Sequence, residues 1–155
     1  MGLEPGFLAV VLVLIGAGPP TSPAAKPVEV ILRGKFVTLG SALRSLGMDV
    51  PLDPESTAPE IVLLGDDRSI TPLFRDEATK ALFLDERLRD CRAELHGRRF
   101  PGVPYLQVSS FQIERDGRFQ TPEYYCYICS ISVRAPQTCP CCQGPMEFRM
   151  RPDRR

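Results

Sequence analysis

Five of the six cysteines in this 155-residue chain lie between Cys126 and Cys142, and their spacing constrains the fold more than any other feature. Cys126 and Cys129 form one Cys-x-x-Cys pair, Cys139 and Cys142 form a second, and nine residues separate the two pairs. Two tight turns of this kind can direct four thiolates to one centre, at about 2.3 Å from each sulfur, in the tetrahedral geometry that Zn²⁺ prefers. The spacing therefore predicts one Zn²⁺ ion at these four cysteines, with iron or copper(I) as the other ions that thiolates favour.

The folding energetics of residues 121–155 support a bound metal. A segment this short buries too little apolar surface to fold alone, whereas a structural zinc ion supplies on the order of 10 kcal/mol. We expect Val133, Tyr124, Tyr125 and Tyr127 to form a thin core, and Gly144 to allow a tight turn. The segment has five basic and three acidic side chains, so we also expect arginines to lie beside the negatively charged thiolate cluster.

Cys141 is left over between two predicted ligands, where it points outward, replaces Cys142 as a ligand, or is a reactive thiol. The cluster as a whole has two other interpretations. An oxidising compartment would allow disulfides, although Cys-x-x-Cys pairs close loops too small to stabilise a fold strongly. The Cys-Pro-Cys-Cys run would also suit a thiol oxidoreductase. Cys91 is predicted to be a small buried core residue.

The motifs of the cysteine segment resemble a known family. The resemblance to the heavy-metal-binding zinc-ribbon domain, found in metal-efflux and envelope proteins, rests on Tyr125–Cys129, Ala135–Cys142, Gly144, Met146 and Glu147. It implies a metal sensor or carrier of the envelope. Cys129 stands where that family has histidine, and the methionine after the second pair is displaced to Met146, so the resemblance implies a closed four-cysteine zinc site rather than copper transport.

Residues 26–120 have the pattern of a small β domain. Strands are predicted at 28–38, 61–64, 69–74, 91–95 and 105–114, and helices at 41–46 and 76–89, with a loop at 51–59 and a turn at 96–99. Gly34 predicts a bulge or sharp bend in the first strand. In the last strand, the apolar side chains change parity at Ser109-Ser110, which predicts a bulge that keeps both pairs facing the core.

The order of these elements resembles the OB-fold, a five-stranded barrel with a helix between the third and fourth strands. Phrases such as VILRGKFVTL and IVLLGDDRSITPLF are similar to OB-like domains of bacterial exported proteins. The sequence thus predicts a mainly β protein with three parts: a leader at 1–25, a small five-stranded OB-like barrel with one helix at 26–120, and a zinc ribbon with a basic tail at 121–155.

The leader contains nine consecutive apolar residues, Phe7 to Ile15, followed by prolines at 19, 20, 23 and 27. This run is shorter than the roughly 20 residues of a membrane-spanning helix, and it has the length of the apolar core of a signal peptide. It predicts a signal peptide or an N-terminal membrane anchor with a Pro-rich linker, and thus an exported, periplasmic or membrane-anchored envelope protein. The alternative is a buried strand or helix of the folded domain.

The sequence contains no motif of an enzyme. His96 is its one histidine, and glycine-rich phosphate loops, Gly-x-Ser-x-Gly and His-Glu-x-x-His are absent. The 19 basic and 19 acidic residues balance, which disfavours nucleic-acid binding. The predicted function is a non-enzymatic zinc-binding protein whose ribbon is a structural or interaction module for a protein partner not yet identified. The alternatives are a heavy-metal sensor or carrier, and a single-strand nucleic-acid-binding protein using Arg98, Arg99 and Phe100.

Overall fold

The computed structural model describes residues 2, 26–57 and 59–152, so almost all of the predicted leader and the last three residues lie outside the described part. The described chain contains eight strands: β1 Val28–Thr38, β2 Ile61–Gly65, β3 Ile70–Pro72, β4 Arg92–Arg99, β5 Leu106–Arg115, β6 Arg118–Cys126, β7 Ile131–Val133 and β8 Glu147–Pro152. Its helices are short: α1 Leu39–Ser45, α2 Pro54–Thr57, α3 Lys80–Leu84 and a 3₁₀ turn at Glu86–Leu88.

The strands form one antiparallel sheet in the order β3-β2-β1-β4-β5-β6-β7, with β8 paired to β6. The prediction of a mainly β protein is confirmed. Within the described residues, the pairing of the strands does not close into a five-stranded barrel. The predicted barrel is therefore not confirmed. β3 and β5 are the outer two of the first five strands. They meet at one point, because an isolated parallel bridge joins Leu73, just after β3, to Leu106 at the start of β5. The Phe74 N–H donates to the Leu106 carbonyl there, at 3.0 Å.

The main hydrophobic core extends across the predicted division at residues 120 and 121. Its largest fully buried members come from β1, β2, β4, β5, α3 and the 3₁₀ turn, and Tyr124 and Ala135 belong to the same cluster. Burying each large apolar side chain contributes roughly 1.5–3 kcal/mol. Because β6 also runs through residue 121 and pairs with β5, the cysteine segment is attached to the sheet by both hydrogen bonds and packing.

The sequence predicts one distortion at Gly34 in β1 and another at Ser109-Ser110 in β5, and the two predictions have different outcomes. Gly34 pairs in regular register with both Gly65 and Ala93, so β1 contains no bulge there, and the alternative of a sharp bend stays a prediction. Glycine is required there because a Cβ would collide with the Leu64 carbonyl. The bulge predicted in β5 is confirmed: His96 pairs with Ser110 and Gly97 with Val108, so Ser109 is the extra residue.

The turn predicted at 96–99 is wrong, because β4 continues through these residues to Arg99. The first four residues of β1 pair with them, beginning with Val28 opposite Arg99. Gly97, which resembled a turn residue, is instead buried where a Cβ would lie 2.6 Å from the Gln107 carbonyl oxygen. His96 is thus an exposed strand residue, 3.5 Å from Glu94.

The helix predicted at 76–89 forms only in part, as α3 and the 3₁₀ turn. Thr79 is fully buried, and its hydroxyl donates to the Phe74 carbonyl instead of facing solvent on a long helix. Asp85 interrupts the helix in an extended conformation, where its carboxylate accepts from the Arg87 N–H at 3.0 Å. Two smaller differences are that α1 begins at Leu39, two residues earlier than predicted, with Thr38 as its N-cap, and that α2 occupies part of the predicted loop.

Candidate metal centre

Two similar turns position the four predicted ligands. Cys126 is the last residue of β6 and Cys129 follows in the turn to β7, while Cys139 and Cys142 lie in the connection from β7 to β8. The residue after each pair adopts a left-handed conformation, with φ of 54° at Ser130 and 60° at Gln143. The tight turn predicted for Gly144 therefore falls one residue earlier, on a residue type for which this conformation has a steric cost.

The structure brings Cys126, Cys129, Cys139 and Cys142 together at one point. Their sulfur atoms all lie within 4.8 Å of one another, and those of Cys126 and Cys142 are 3.6 Å apart. Four ligands at 2.3 Å in a tetrahedron have sulfurs about 3.8 Å apart, so this spacing fits zinc or another tetrahedral thiolate-bound ion. All four are free thiols, and within the described ranges they are the one convergent group of potential ligands.

The cluster has a buried side and an exposed side. Cys126 and Cys139 are almost completely buried, Cys129 is half-buried and Cys142 is exposed. Hydrogen bonds from the backbone N–H groups of Cys142 and Cys141 to its sulfur lower the pKa of Cys139 to about 7. The pKa of Cys129 is raised, first by its hydrogen bond with the Cys141 thiol and then by that with Cys142. Four adjacent thiols resist simultaneous ionisation, and a divalent cation would remove that repulsion.

The two remaining cysteines lie outside the convergent group. Cys141 is exposed and its thiol contacts that of Cys129, so it lies beside the ligand set on its solvent side. Cys91 is half-buried and packs against the main core, and its thiol donates to the Arg89 carbonyl at 3.3 Å. It is not part of the predicted site.

The arginines expected beside the thiolates pair with a carboxylate instead. Arg149 donates to Glu123 at 2.6 Å, and Arg151 lies 3.7 Å from the second oxygen of the same carboxylate. The Arg149 guanidinium also lies 3.5 Å from the centre of the Tyr125 ring. Among the described residues, no arginine side chain forms a hydrogen bond with the sulfur of Cys126, Cys129, Cys139 or Cys142. Glu123 is only 5% exposed, and sequence reasoning missed this buried ion pair between β6 and β8.

A second buried network, also missed, connects the cysteine segment to the segment after α3. The Tyr124 hydroxyl donates to Asp85 at 2.5 Å, and Arg87 donates to the same carboxylate at 2.6 Å. The Arg87 guanidinium keeps the pKa of Asp85 at about 2, while burial raises the pKa of Tyr124. Arg87 also stacks on Phe148 of β8, 4.2 Å from the ring centre. The one sequence feature that could have indicated this network was Asp85, an aspartate inside the helix predicted at 76–89.

The expected tyrosine core is only partly observed. Tyr124 is buried in the main core and packs on Phe148, with ring centres 5.6 Å apart. Tyr125 and Tyr127 contact each other edge to face at 4.9 Å, but Tyr127 is 62% exposed. The interior of the cysteine segment is thus shared with the rest of the sheet.

The basic cluster proposed for nucleic acid is divided by the alternation of β4. Arg98 pairs with Glu29 at 2.8 Å, whereas Arg99 and Phe100 line a different, mainly apolar groove. The structure therefore does not place Arg98, Arg99 and Phe100 on one basic surface.

Comparison with protein-family models, with curated proteins and with solved structures finds no match to this chain. Neither the OB-fold resemblance nor the heavy-metal-binding resemblance is confirmed by a family match. Within the described ranges, no helix has both the length and the apolar character needed to cross a membrane.

Proposed function

We propose that the protein is a non-enzymatic zinc-binding protein of the cell envelope, in which Cys126, Cys129, Cys139 and Cys142 hold one Zn²⁺ ion. The observation that carries this proposal is the convergence of their four sulfurs within 4.8 Å. Four protein ligands complete a tetrahedral shell and leave no position for a reactive water, which a catalytic zinc requires. The ion would therefore stabilise the turns between β6, β7 and β8, and the segment would serve as a structural or interaction module.

The proposed scaffold for this module is an OB-like barrel formed by β1 to β5. The strand order β3-β2-β1-β4-β5 supports it, as does the position of α3 between β3 and β4. The parallel bridge between Leu73 and Leu106 supports it further, because a barrel needs its first and last strands to meet. The proposed envelope location is supported by the apolar run Phe7 to Ile15 and the prolines after it.

Metal content tests the proposal directly. The full chain, purified under reducing conditions, should show one zinc ion per chain by native mass spectrometry and by elemental analysis. Cys126→Ser should lose the ion, whereas the matched control Cys91→Ser should keep it, because Cys91 lies outside the cluster. Protein that contains only trace metal, or that has disulfides between these cysteines in the same preparation, would overturn the proposal.

The exposed side of the cluster favours a second candidate, a metal carrier. Cys142 is exposed and the Cys141 thiol contacts that of Cys129, so an incoming ligand would meet two accessible sulfurs. A carrier should transfer its ion rapidly to a competing chelator, and Cys141→Ser should slow the transfer without reducing the metal content. Slow transfer that Cys141→Ser leaves unchanged would exclude the carrier and retain the structural role.

A further inference from the structure

An apolar groove of about 640 Å³ lies where β1 begins and β4 ends. Its walls are Val28, Val30 and Leu32 of β1 together with the loop that connects β4 to β5, residues 99–104. Val28 is 59% exposed and Val103 is 38% exposed. We call this surface, formed by Val28, Val30, Leu32 and residues 99–104, the groove face. Exposed apolar patches rimmed by polar groups are typical of protein or membrane contacts.

The loop in the groove face has a fixed shape. The Val103 N–H donates to the Phe100 carbonyl at 3.1 Å, which closes a four-residue turn. Pro101 and Gly102 occupy its two central positions, and Gly102 has a φ of 76°, as a type II turn requires. The turn thus presents Val103 and its neighbours in one conformation, which lowers the entropic cost of placing them in a binding partner.

The charges around the groove face are basic. Residues 100–105, FPGVPY, include no charged side chain. Arg98 and Glu29 neutralise each other on the two paired strands. Lys26 is exposed two residues before Val28, and Arg99 lies opposite Val28; among residues 26–57 and 59–152, neither has an ion-pair partner. An apolar surface with unpaired basic side chains fits an anionic lipid bilayer better than an acid-rich or purely apolar partner.

The chain leading to β1 also points to a bilayer. The apolar run Phe7 to Ile15 ends eleven residues before Lys26, and the groove face starts two residues later. If that run enters a membrane, the beginning of β1 is the part of the sheet that the chain itself holds nearest to the lipid. α1, at the other end of β1, would be about 33 Å further along the strand.

We propose that the groove face docks on the surface of an anionic lipid bilayer, with Phe100 and Val103 in contact with the acyl boundary and with Lys26 and Arg99 at the headgroups. The inference rests on the proposed envelope location, with the apolar run Phe7 to Ile15 acting as a membrane anchor, and is independent of the metal. It assigns the β4–β5 loop a membrane-contact role and leaves the cysteine segment as the part available to other partners.

The absence of tryptophan from the chain allows a direct test. Val103→Trp places the single tryptophan of the chain in the groove face, and the full chain is reconstituted with vesicles of phosphatidylcholine and phosphatidylglycerol. Met48→Trp is the matched control, because Met48 is 50% exposed and follows α1 at the far end of β1. Brominated lipids should quench the fluorescence of Val103→Trp at least about twofold more strongly than that of Met48→Trp, since bromines near the headgroup boundary reach only inserted side chains.

Charge dependence provides the second measurement. Lys26→Glu with Arg99→Glu, made in the Val103→Trp background, should reduce the quenching of the introduced tryptophan, and so should vesicles of phosphatidylcholine alone. Far-ultraviolet circular dichroism and metal content measured on the same samples show whether each variant is folded.

Each outcome distinguishes the inference from the proposed function. If both variants float with vesicles and contain zinc, but Val103→Trp is quenched no more than Met48→Trp, the groove-face proposal alone is overturned. Blue-shifted emission from Val103→Trp without vesicles would show that the leader or a second copy covers the face, and would also overturn it. Protein that does not float overturns the docking but still allows a periplasmic location, whereas loss of zinc with Val103→Trp still quenched removes only the metal function.

Discussion

The first five strands and the cysteine segment from β6 to β8 are stabilised by different interactions. The strands β1 to β5 enclose large apolar side chains such as Phe36, Leu63 and Leu95, each at most 1% exposed. The cysteine segment contributes the buried Tyr124 and Ala135 to that core, and four further apolar side chains pack against it half-buried: Val133, Met146, Phe148 and Met150. Its other buried side chains include two thiols and a glutamate. A short segment of this kind needs attachment to a larger neighbour, and the proposed ion would stabilise it further.

The cysteine segment is also firmly attached to the first five strands. β6 pairs with β5, Tyr124 packs in the common core, and the Asp85 network connects β6 to the segment after α3. The two regions thus differ in what stabilises them, but with the proposed ion bound they should unfold together. The following predictions test that comparison, beginning with the largest expected effect.

Loss of the ion should affect the cysteine segment most. Cys139→Ser removes a fully buried ligand, so it should abolish zinc binding and with it a contribution on the order of 10 kcal/mol. Hydrogen exchange should show loss of amide protection from β7 to β8 and retention of protection in β1, β2 and β4. Cys91→Ser should retain both. A metal-free protein with β7 and β8 still protected would contradict the proposed role of the ion.

Truncation of the common core should destabilise both regions together. Leu95→Ala removes a fully buried side chain of β4 and should lower the free energy of unfolding by about 2–5 kcal/mol. Because Tyr124 and Ala135 share that core, urea unfolding should remain a single transition when followed by hydrogen exchange or tyrosine fluorescence. Two separate transitions, with the cysteine segment unaffected, would show that the regions are independent domains.

The Asp85 network should contribute a smaller, pH-dependent amount. Asp85→Asn weakens the charged hydrogen bonds with Tyr124 and Arg87 and should cost about 1.5–3 kcal/mol at neutral pH. The carboxyl has a pKa of about 2 in the folded protein, below its ordinary value of 3.8. Its contribution is therefore complete above pH 3.8 and is lost as the pH falls toward 2.

The measurement compares urea unfolding of wild type and Asp85→Asn across this range. The difference between them should shrink as the pH approaches 2, even though acid also releases a thiolate-bound metal from both proteins. A difference that does not change with pH would show that the aspartate acts by shape rather than by charge.

The smallest expected effect is a gain in stability. Gln143 has a φ of 60° in the turn after Cys142, and Gln143→Gly should relieve about 1 kcal/mol of left-handed strain. Thermal unfolding of the zinc-bound protein should shift upward. Gln137→Gly is the control, because Gln137 has no such conformation and the added backbone freedom should lower the stability slightly. An equal change in both variants would exclude conformational strain as the cause.

Patterns of apolar side chains predicted the strands well where neighbouring strands are regular. The bounds of β1 were correct, and the Ser109 bulge followed from a change of parity between Val108 and Phe111. The Cys-x-x-Cys spacing indicated which sulfurs the structure brings together. These predictions succeeded because side-chain alternation and Cys-x-x-Cys spacing are local patterns, which the covalent chain fixes by itself.

Features that depend on distant partners were not predictable in this way. Gly97 resembled a turn residue, but β1 and the Gln107 carbonyl require a glycine inside a strand. Residues 118–126 and 147–152 were not predicted as strands, and they form β6 and β8 by pairing with each other. Glu123 is buried where Arg149 of β8 pairs with it. The helix-breaking Asp85 pairs with its neighbour Arg87, and its distant partner is the Tyr124 hydroxyl of β6.

The sequence by itself determined a mainly β chain and the four cysteines that meet, because side-chain alternation and Cys-x-x-Cys spacing act over a few residues. Only the tertiary structure decided where β4 ends, how β6 connects the cysteine segment to the common core, and which carboxylates the arginines neutralise. These features depend on contacts between residues far apart in the chain. A local sequence pattern contains no information about the free energy of such contacts.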